Sequence, residues 1–75
     1  MTLLRMAAGY RQSAELIRLR IAALRELAKG AEPEEQLRLE RRIRDLRTLH
    51  RETTETARTL ERYYERRRGA DGRRA

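Results

Sequence analysis

Apolar residues recur along two long stretches of the chain at alternating steps of four and three residues. In the first stretch these positions are Leu3, Ala7, Tyr10, Ala14, Ile17, Ile21, Leu24 and Ala28. In the second stretch they continue, with two polar members, as Leu39, Ile43, Leu46, His50, Thr53, Ala57, Leu60 and Tyr64. Heptad spacing of this kind aligns one stripe of side chains along a helix, against which a second helix can pack. The pattern therefore predicts an all-α protein with two long helices.

A short segment, KGAEPEEQ, separates the two stretches. Gly30 can take the left-handed conformation that closes a helix, and Lys29 suits the negative end of the helix dipole. Pro33 fits the first turn of a new helix, and the two glutamates after it suit the positive end of that helix. The predicted bounds are residues 2–29 for helix 1, 30–32 for the turn and 33–68 for helix 2.

A connection this short forces neighbouring helices to run antiparallel, which gives a helical hairpin. If the chain reverses about Ala31, Leu24 faces Leu39 and Tyr10 faces Thr53. The polar segment 69–75 has nothing to bury, so we expect it to form a disordered basic tail.

Both helices carry apolar residues outside the stripe that a hairpin would bury. On helix 1 and helix 2 together these are Leu16, Leu19, Ala23, Leu27, Leu49, Thr56 and Tyr63. A core this small rarely supplies enough stability alone, and the chain has no Cys for a disulfide. We therefore predict that two hairpins associate as a homodimeric four-helix bundle. The expected seam and dimer residues are Tyr10, Ile17, Ile21, Leu24, Ile43, Leu46 and Leu60.

Arginine dominates the charge of the chain. The net charge is +7, with nineteen basic residues against twelve acidic ones. Acids stand four residues from several arginines, as in Glu40 with Arg44 and Arg51 with Glu55, a spacing typical of a solvated helix surface. The alternative is sequence-independent nucleic-acid binding by the basic surplus. Its candidate contacts are Arg41, Arg44, Arg51, Arg66, Arg67 and Arg68.

No combination of residues indicates catalysis, a metal or another cofactor. His50 is the single histidine, and without clustered carboxylates or a nucleophile it forms neither a metal site nor a triad. We expect a structural histidine, although a dimer could bring it near its symmetry mate. Tyr63 and Tyr64 are expected either to cap the bundle end or to form an exposed partner surface. With no apolar run long enough to cross a membrane and no secretory leader, we expect a cytoplasmic protein.

The segments YRQSAELIRLRIAALRELA and LRLERRIRDLRTLHRETTETARTLERYYERR span residues 10–67. In their Leu, Arg and Glu spacing and their Tyr-Tyr pair, they resemble small uncharacterised helical-hairpin proteins of bacterial phage-like or other mobile elements. This resemblance implies a helical hairpin and no assigned activity. The outline of a dimerising hairpin is also similar, in shape only, to the plasmid RNA-loop binder Rop. We therefore expect a non-enzymatic interaction module, with nucleic-acid binding as the alternative.

Overall fold

The computed structural model consists of two helices joined by a short turn. It describes the backbone of residues 2–74 and the side chains of residues 2–67. Helix α1 spans Leu3–Lys29 and helix α2 spans Pro33–Arg74. The two helices pack against each other along α1, so the predicted helical hairpin is confirmed. The molecule measures 63 × 16 × 14 Å, and its length is that of α2.

Helix α1 is capped at both ends by local hydrogen bonds. The Thr2 hydroxyl accepts a hydrogen bond from the Arg5 backbone N–H at 3.1 Å, which satisfies one of the free N–H groups of the first turn. At the other end, the Gly30 N–H donates to the Leu27 carbonyl at 3.4 Å. Gly30 has φ −106° and ψ 8°, so the predicted left-handed conformation is wrong. Backbone bonds between residues three apart close the helix without it.

Helix α2 begins at Pro33, with the Glu32 carbonyl accepting from the Gln36 N–H at 2.7 Å. Its helical backbone continues to Arg74, beyond the end predicted at residue 68. A glycine costs a helix only about 1 kcal/mol relative to alanine, which is too little to end it alone. Ala75 and the side chains after residue 67 lie outside the described residues, and the disorder of segment 69–75 in solution stays a prediction.

The core is one narrow seam between the helices. Its buried members are Ala7, Ala14, Ile21, Ile43 and Ala57. Alanines form this core over most of the length of α1, which lets the two backbones approach closely there. The isoleucines fill the seam nearer the turn. Within the described part of the chain, no large side chain is fully buried, so the hairpin is thin for its length.

One ion pair joins the two helices. The Arg11 guanidinium lies 2.7 Å from the Glu61 carboxylate. Side chains lean towards the N-terminus of their helix, so in antiparallel helices these two lean towards each other and meet, although Glu61 lies further from the turn than Arg11. The chain reverses between Lys29 and Pro33.

Candidate functional site

The hairpin has two sides of different character, set by the residues that flank the seam. The steps along the seam alternate between four and three residues, so the seam positions fall into two classes. Residues directly after positions of the first class, such as Arg11 after Tyr10 and Glu61 after Leu60, share one side. Their contact across the hairpin demonstrates this, because it joins equivalent positions of two antiparallel helices. Residues directly before the other class of seam positions, such as Met6 before Ala7, flank the opposite side.

The second of these sides is the apolar side. It carries exposed large apolar side chains: Leu27, directly before Ala28, is 62% exposed, and Leu16, further round the helix on the same side, is 66% exposed. A shallow depression of about 360 Å³, lined by Met6, Gly9, Tyr10 and Ser13, opens at the end far from the turn. The exposed apolar residues of this side are Met6, Tyr10, Leu16, Leu27, Leu49 and Tyr63. Arg20 and Arg42, which directly precede Ile21 and Ile43, are exposed on the same side, so the apolar strip is discontinuous.

The other side is the charged side. Arg11 Nε and Nη2 donate to the two carboxylate oxygens of Glu61, at 3.1 and 2.7 Å. This hydrogen bonding lowers the pKa of the Glu61 carboxyl and raises the pKa of Arg11. Arg18 holds Glu15 in the same bidentate way at 3.0 and 2.6 Å, which lowers the pKa of Glu15. Part of this side is thus internally neutralised.

The ion pairs differ from those predicted by four-residue spacing. Among the described residues, pairs within one helix join positions three apart, such as Glu35 with Arg38 at 3.2 Å and Glu55 with Arg58 at 3.5 Å. Among the described residues, neither Glu40 with Arg44 nor Arg51 with Glu55 forms an ion pair within 4 Å. Positions three and four apart are both neighbours on a helix surface, so spacing alone does not choose between them.

Nearer the turn, the charged side contains a groove with unneutralised cations. Its volume is about 390 Å³, and it is lined by Arg25, Ala28, Glu40, Ile43, Arg44 and Arg47. Within the described part of the chain, none of the three arginines takes part in an ion pair within 4 Å. The groove brings α1 and α2 residues together, so it depends on the hairpin. We call Arg25, Arg44 and Arg47, with Arg51 one turn further along α2, the arginine groove.

The arginines predicted from the sequence do not form one surface. Arg44 belongs to the arginine groove and Arg41 is exposed on the outer face of α2. Arg66 and Arg67 are exposed near the far end, with the Arg67 guanidinium 6.0 Å from the centre of the Tyr63 ring. Arg68 lies beyond the described side chains. Arg25 and Arg47 were not among the arginines predicted from the sequence, although each directly follows a seam residue, Leu24 or Leu46, and that placement was the available signal.

The predicted seam residues lie along the contact between the helices, to different depths. Tyr10 is 40% exposed at the edge of the apolar side. Ile21 and Ile43 are buried, and Ile17, Leu24, Leu46 and Leu60 are half-buried. The seam is therefore less enclosed near Tyr10 than the heptad pattern alone suggests.

Two threonines, one on the seam and one beside it, form hydrogen bonds within α2. Thr53 donates its hydroxyl hydrogen to the Leu49 carbonyl at 2.7 Å, and Thr56 donates to the Glu52 carbonyl at 2.9 Å. His50 is half-buried beside them. Tyr64 is half-buried, whereas Tyr63 is 52% exposed, so the two tyrosines serve different sides of the helix.

No group of three His, Cys, Asp or Glu side chains in the described residues could hold a metal ion. Neither helix, over the residues described, is long and apolar enough to cross a membrane. Comparison with protein-family models, curated proteins and solved structures finds no match for the chain. The candidate functional surfaces are thus the apolar side and the arginine groove.

Proposed function

We propose that the protein is a non-enzymatic helical interaction module in which two copies associate through their apolar sides. The observation that carries this proposal is the surface area of the single chain. It exposes 6519 Å². A compact monomer of the same mass, 8.9 kDa, would expose about 4800 Å². The hairpin is therefore too open to resemble a self-sufficient domain.

Part of this excess suits a dimer interface. It amounts to about 1700 Å² for each copy, of which the end of α2 that extends beyond α1 supplies a share, and permanent homodimers bury about 1000–2500 Å² on each partner. A second hairpin laid along the first would cover part of this surface and complete a four-helix bundle with helix crossings of about 20°. The thin seam, which leaves Leu24 and Leu46 half-buried, is then one part of a larger shared core.

The apolar side suits this contact better than the charged side. Burying Leu16 and Leu27 removes apolar surface from water, which is favourable at about 25 cal/mol per Å². Burying the arginine groove would place Arg25, Arg44 and Arg47 in the interface at a large desolvation cost, whereas the apolar side brings two arginines, Arg20 and Arg42, to it. Small residues on the apolar side, including Gly9 and Ala23, allow a second backbone to approach closely. The depression beside Tyr10 has room for a side chain of the second copy.

Nucleic-acid binding, the alternative predicted from the sequence, would use the other side of the hairpin. Dimerisation through the apolar side leaves the arginine groove of each copy open to solvent. The two functions are therefore compatible in one molecule.

Sedimentation equilibrium at micromolar protein concentration tests the proposal. We expect the wild type to sediment as a dimer. The double variant Leu16→Gln, Leu27→Gln should have a dimer dissociation constant at least about 100-fold higher, because fully burying one leucine contributes about 1.5–3 kcal/mol. The matched control is Leu37→Gln, which replaces a similarly exposed leucine, at 57%, outside the apolar side and should leave association unchanged. A folded wild-type monomer at this concentration would refute the proposal.

Gly9→Gln separates the interface from the hairpin itself. A Cβ at Gly9 meets no atom within 4 Å, so the hairpin has room for the side chain. Glutamine also favours a helix over glycine by roughly 0.5–1 kcal/mol. We therefore expect higher helicity by circular dichroism together with weaker dimerisation, because the side chain would occupy the space of the second copy. Unchanged dimerisation would place the interface elsewhere.

A further inference from the structure

We propose that the arginine groove binds the phosphodiester backbone of a double-stranded nucleic acid. This inference does not rest on dimerisation, because one hairpin supplies all of the groove. It concerns Arg25, Arg44, Arg47 and Arg51. Of these, Arg44 and Arg51 were predicted from the sequence as candidate nucleic-acid contacts.

The first support is that these cations are available. Elsewhere on the charged side, Arg11 and Arg18 are each held by a carboxylate in a bidentate pair. In the described part of the chain, the groove arginines have no such partner within 4 Å. A guanidinium presents a planar set of donors that matches a phosphate in two-point contact. The groove therefore concentrates donors that no protein carboxylate has claimed.

The second support is the shape of the groove. Arg44, Arg47 and Arg51 follow one another at three- and four-residue steps, so they form a row about 10 Å long on one face of α2. Arg25 faces this row from α1, and Ala28 and Ile43 line the groove between the helices. Neighbouring phosphates of one strand advance about 3.4 Å along the duplex axis while the strand winds around it, so a row of about 10 Å can reach more than one of them. A line of phosphates fits this row better than a single small anion would.

The third support is the absence of stacking groups, which favours a duplex over a single strand. Single-stranded nucleic acids are bound largely by stacking bases on aromatic rings. The residues lining the groove include no aromatic side chain, and Tyr10 and Tyr63 lie on the apolar side. Contacts to phosphates alone carry no base information. Binding should therefore be independent of sequence and strongly dependent on salt.

A membrane surface is less well matched than a duplex. Peripheral membrane helices place large apolar side chains next to their basic residues so that these enter the lipid. On the charged side, among the described residues, the exposed large apolar side chains are Leu4 and Leu37, which do not line the groove.

Fluorescence anisotropy with labelled 25-base-pair DNA and RNA duplexes tests the proposal. For about four phosphate contacts, affinity should fall about 100-fold between 50 and 200 mM salt. The variant Arg25→Gln, Arg44→Gln, Arg47→Gln should bind at least about tenfold more weakly at 50 mM and should lose most of this salt dependence. The control is the triple variant Arg5→Gln, Arg41→Gln, Arg62→Gln, which removes the same charge from exposed positions outside the groove. It should retain most of the duplex affinity and most of its salt dependence.

Glu40→Gln provides a test in the opposite direction. Glu40 is the one carboxylate among the residues lining the groove. Its replacement should tighten duplex binding by roughly twofold to fivefold, the range expected for one exposed charge interaction.

Three outcomes would overturn the inference: no binding of either duplex by the wild type at 50 mM salt, equal losses in the groove and control variants, or preference for anionic phosphatidylserine vesicles over both duplexes. Circular dichroism of each variant shows whether the hairpin is still folded. If a set of arginine substitutions unfolds the chain, Glu40→Gln still tests the inference, because this variant should bind the duplex more tightly.

Discussion

Arg11 and Glu61, fifty residues apart in the chain, are joined by two hydrogen bonds of 3.1 and 2.7 Å across the hairpin. This is the one ion pair between α1 and α2 among the described residues. Its side chains remain 45% and 39% exposed, so solvent screens it and its contribution to stability is small. Its main effect is to favour one alignment of the helices.

Removing the Glu61 charge should change how stability depends on pH. The hydrogen bonds from Arg11 hold the pKa of folded Glu61 below its ordinary value of 4.5, so the ionised form favours folding. The stabilisation is therefore complete above that ordinary pKa and is lost as pH falls through the lowered one. We expect Glu61→Gln to lower the urea midpoint slightly at pH 7, and the difference from wild type to vanish once the pH is below the lowered pKa of Glu61.

The control for this measurement is Glu65→Gln. Glu65 is exposed on the same helix and, within the described residues, forms no ion pair. The Glu65→Gln substitution removes the same charge and leaves the ion pair between Arg11 and Glu61 intact. If both variants showed the same pH dependence, the effect would belong to net charge and not to the Arg11 contact.

Enlarging Ala57 should destabilise the hairpin. Ala57 is fully buried, at 0% exposure, where the two helices approach closely. Leucine at this position would force the helices apart or strain their side chains, at a cost of about 1–3 kcal/mol. For a chain of this size we expect the melting temperature to fall by roughly 4–20 °C. Ala22→Leu, at an exposed position of α1, should change it by at most a few degrees.

Replacing Gly30 by alanine should be tolerated. Because φ is −106° and a Cβ meets no atom within 4 Å, alanine fits the conformation that Gly30 already has. Alanine also restricts the unfolded chain, so we expect a gain of about 0.4–1 kcal/mol in the free energy of unfolding. Urea denaturation measures it. A loss of stability would instead indicate that the turn requires the left-handed conformation expected from the sequence.

The sequence was sufficient to predict the hairpin because its two determinants are local. Heptad spacing is repeated over both helices, and one glycine and one proline mark the break between them. The conformation of the turn was not predictable in the same way. Gly30 closes α1 without a positive φ, through backbone bonds such as the one from the Ala31 N–H to the Ala28 carbonyl, which no residue type specifies.

The arginine groove was also only partly predictable from the sequence. Its row on α2 is visible as a spacing in the sequence, but Arg25 joins that row only through the antiparallel packing of α1. The partners of charged side chains were not fixed by spacing either, since Arg38 has Glu34 four residues away and Glu35 three residues away, and it pairs with Glu35. The exposed apolar strip, in contrast, was visible in advance as leucines left over from the seam.

The elongated outline of the hairpin has a practical consequence for counting its copies. A rod of 63 × 16 × 14 Å experiences more friction than a sphere of equal mass and therefore leaves a gel-filtration column early. One hairpin would already elute at the position of a larger globular protein. Stoichiometry must accordingly come from light scattering or another property that reports mass independently of shape.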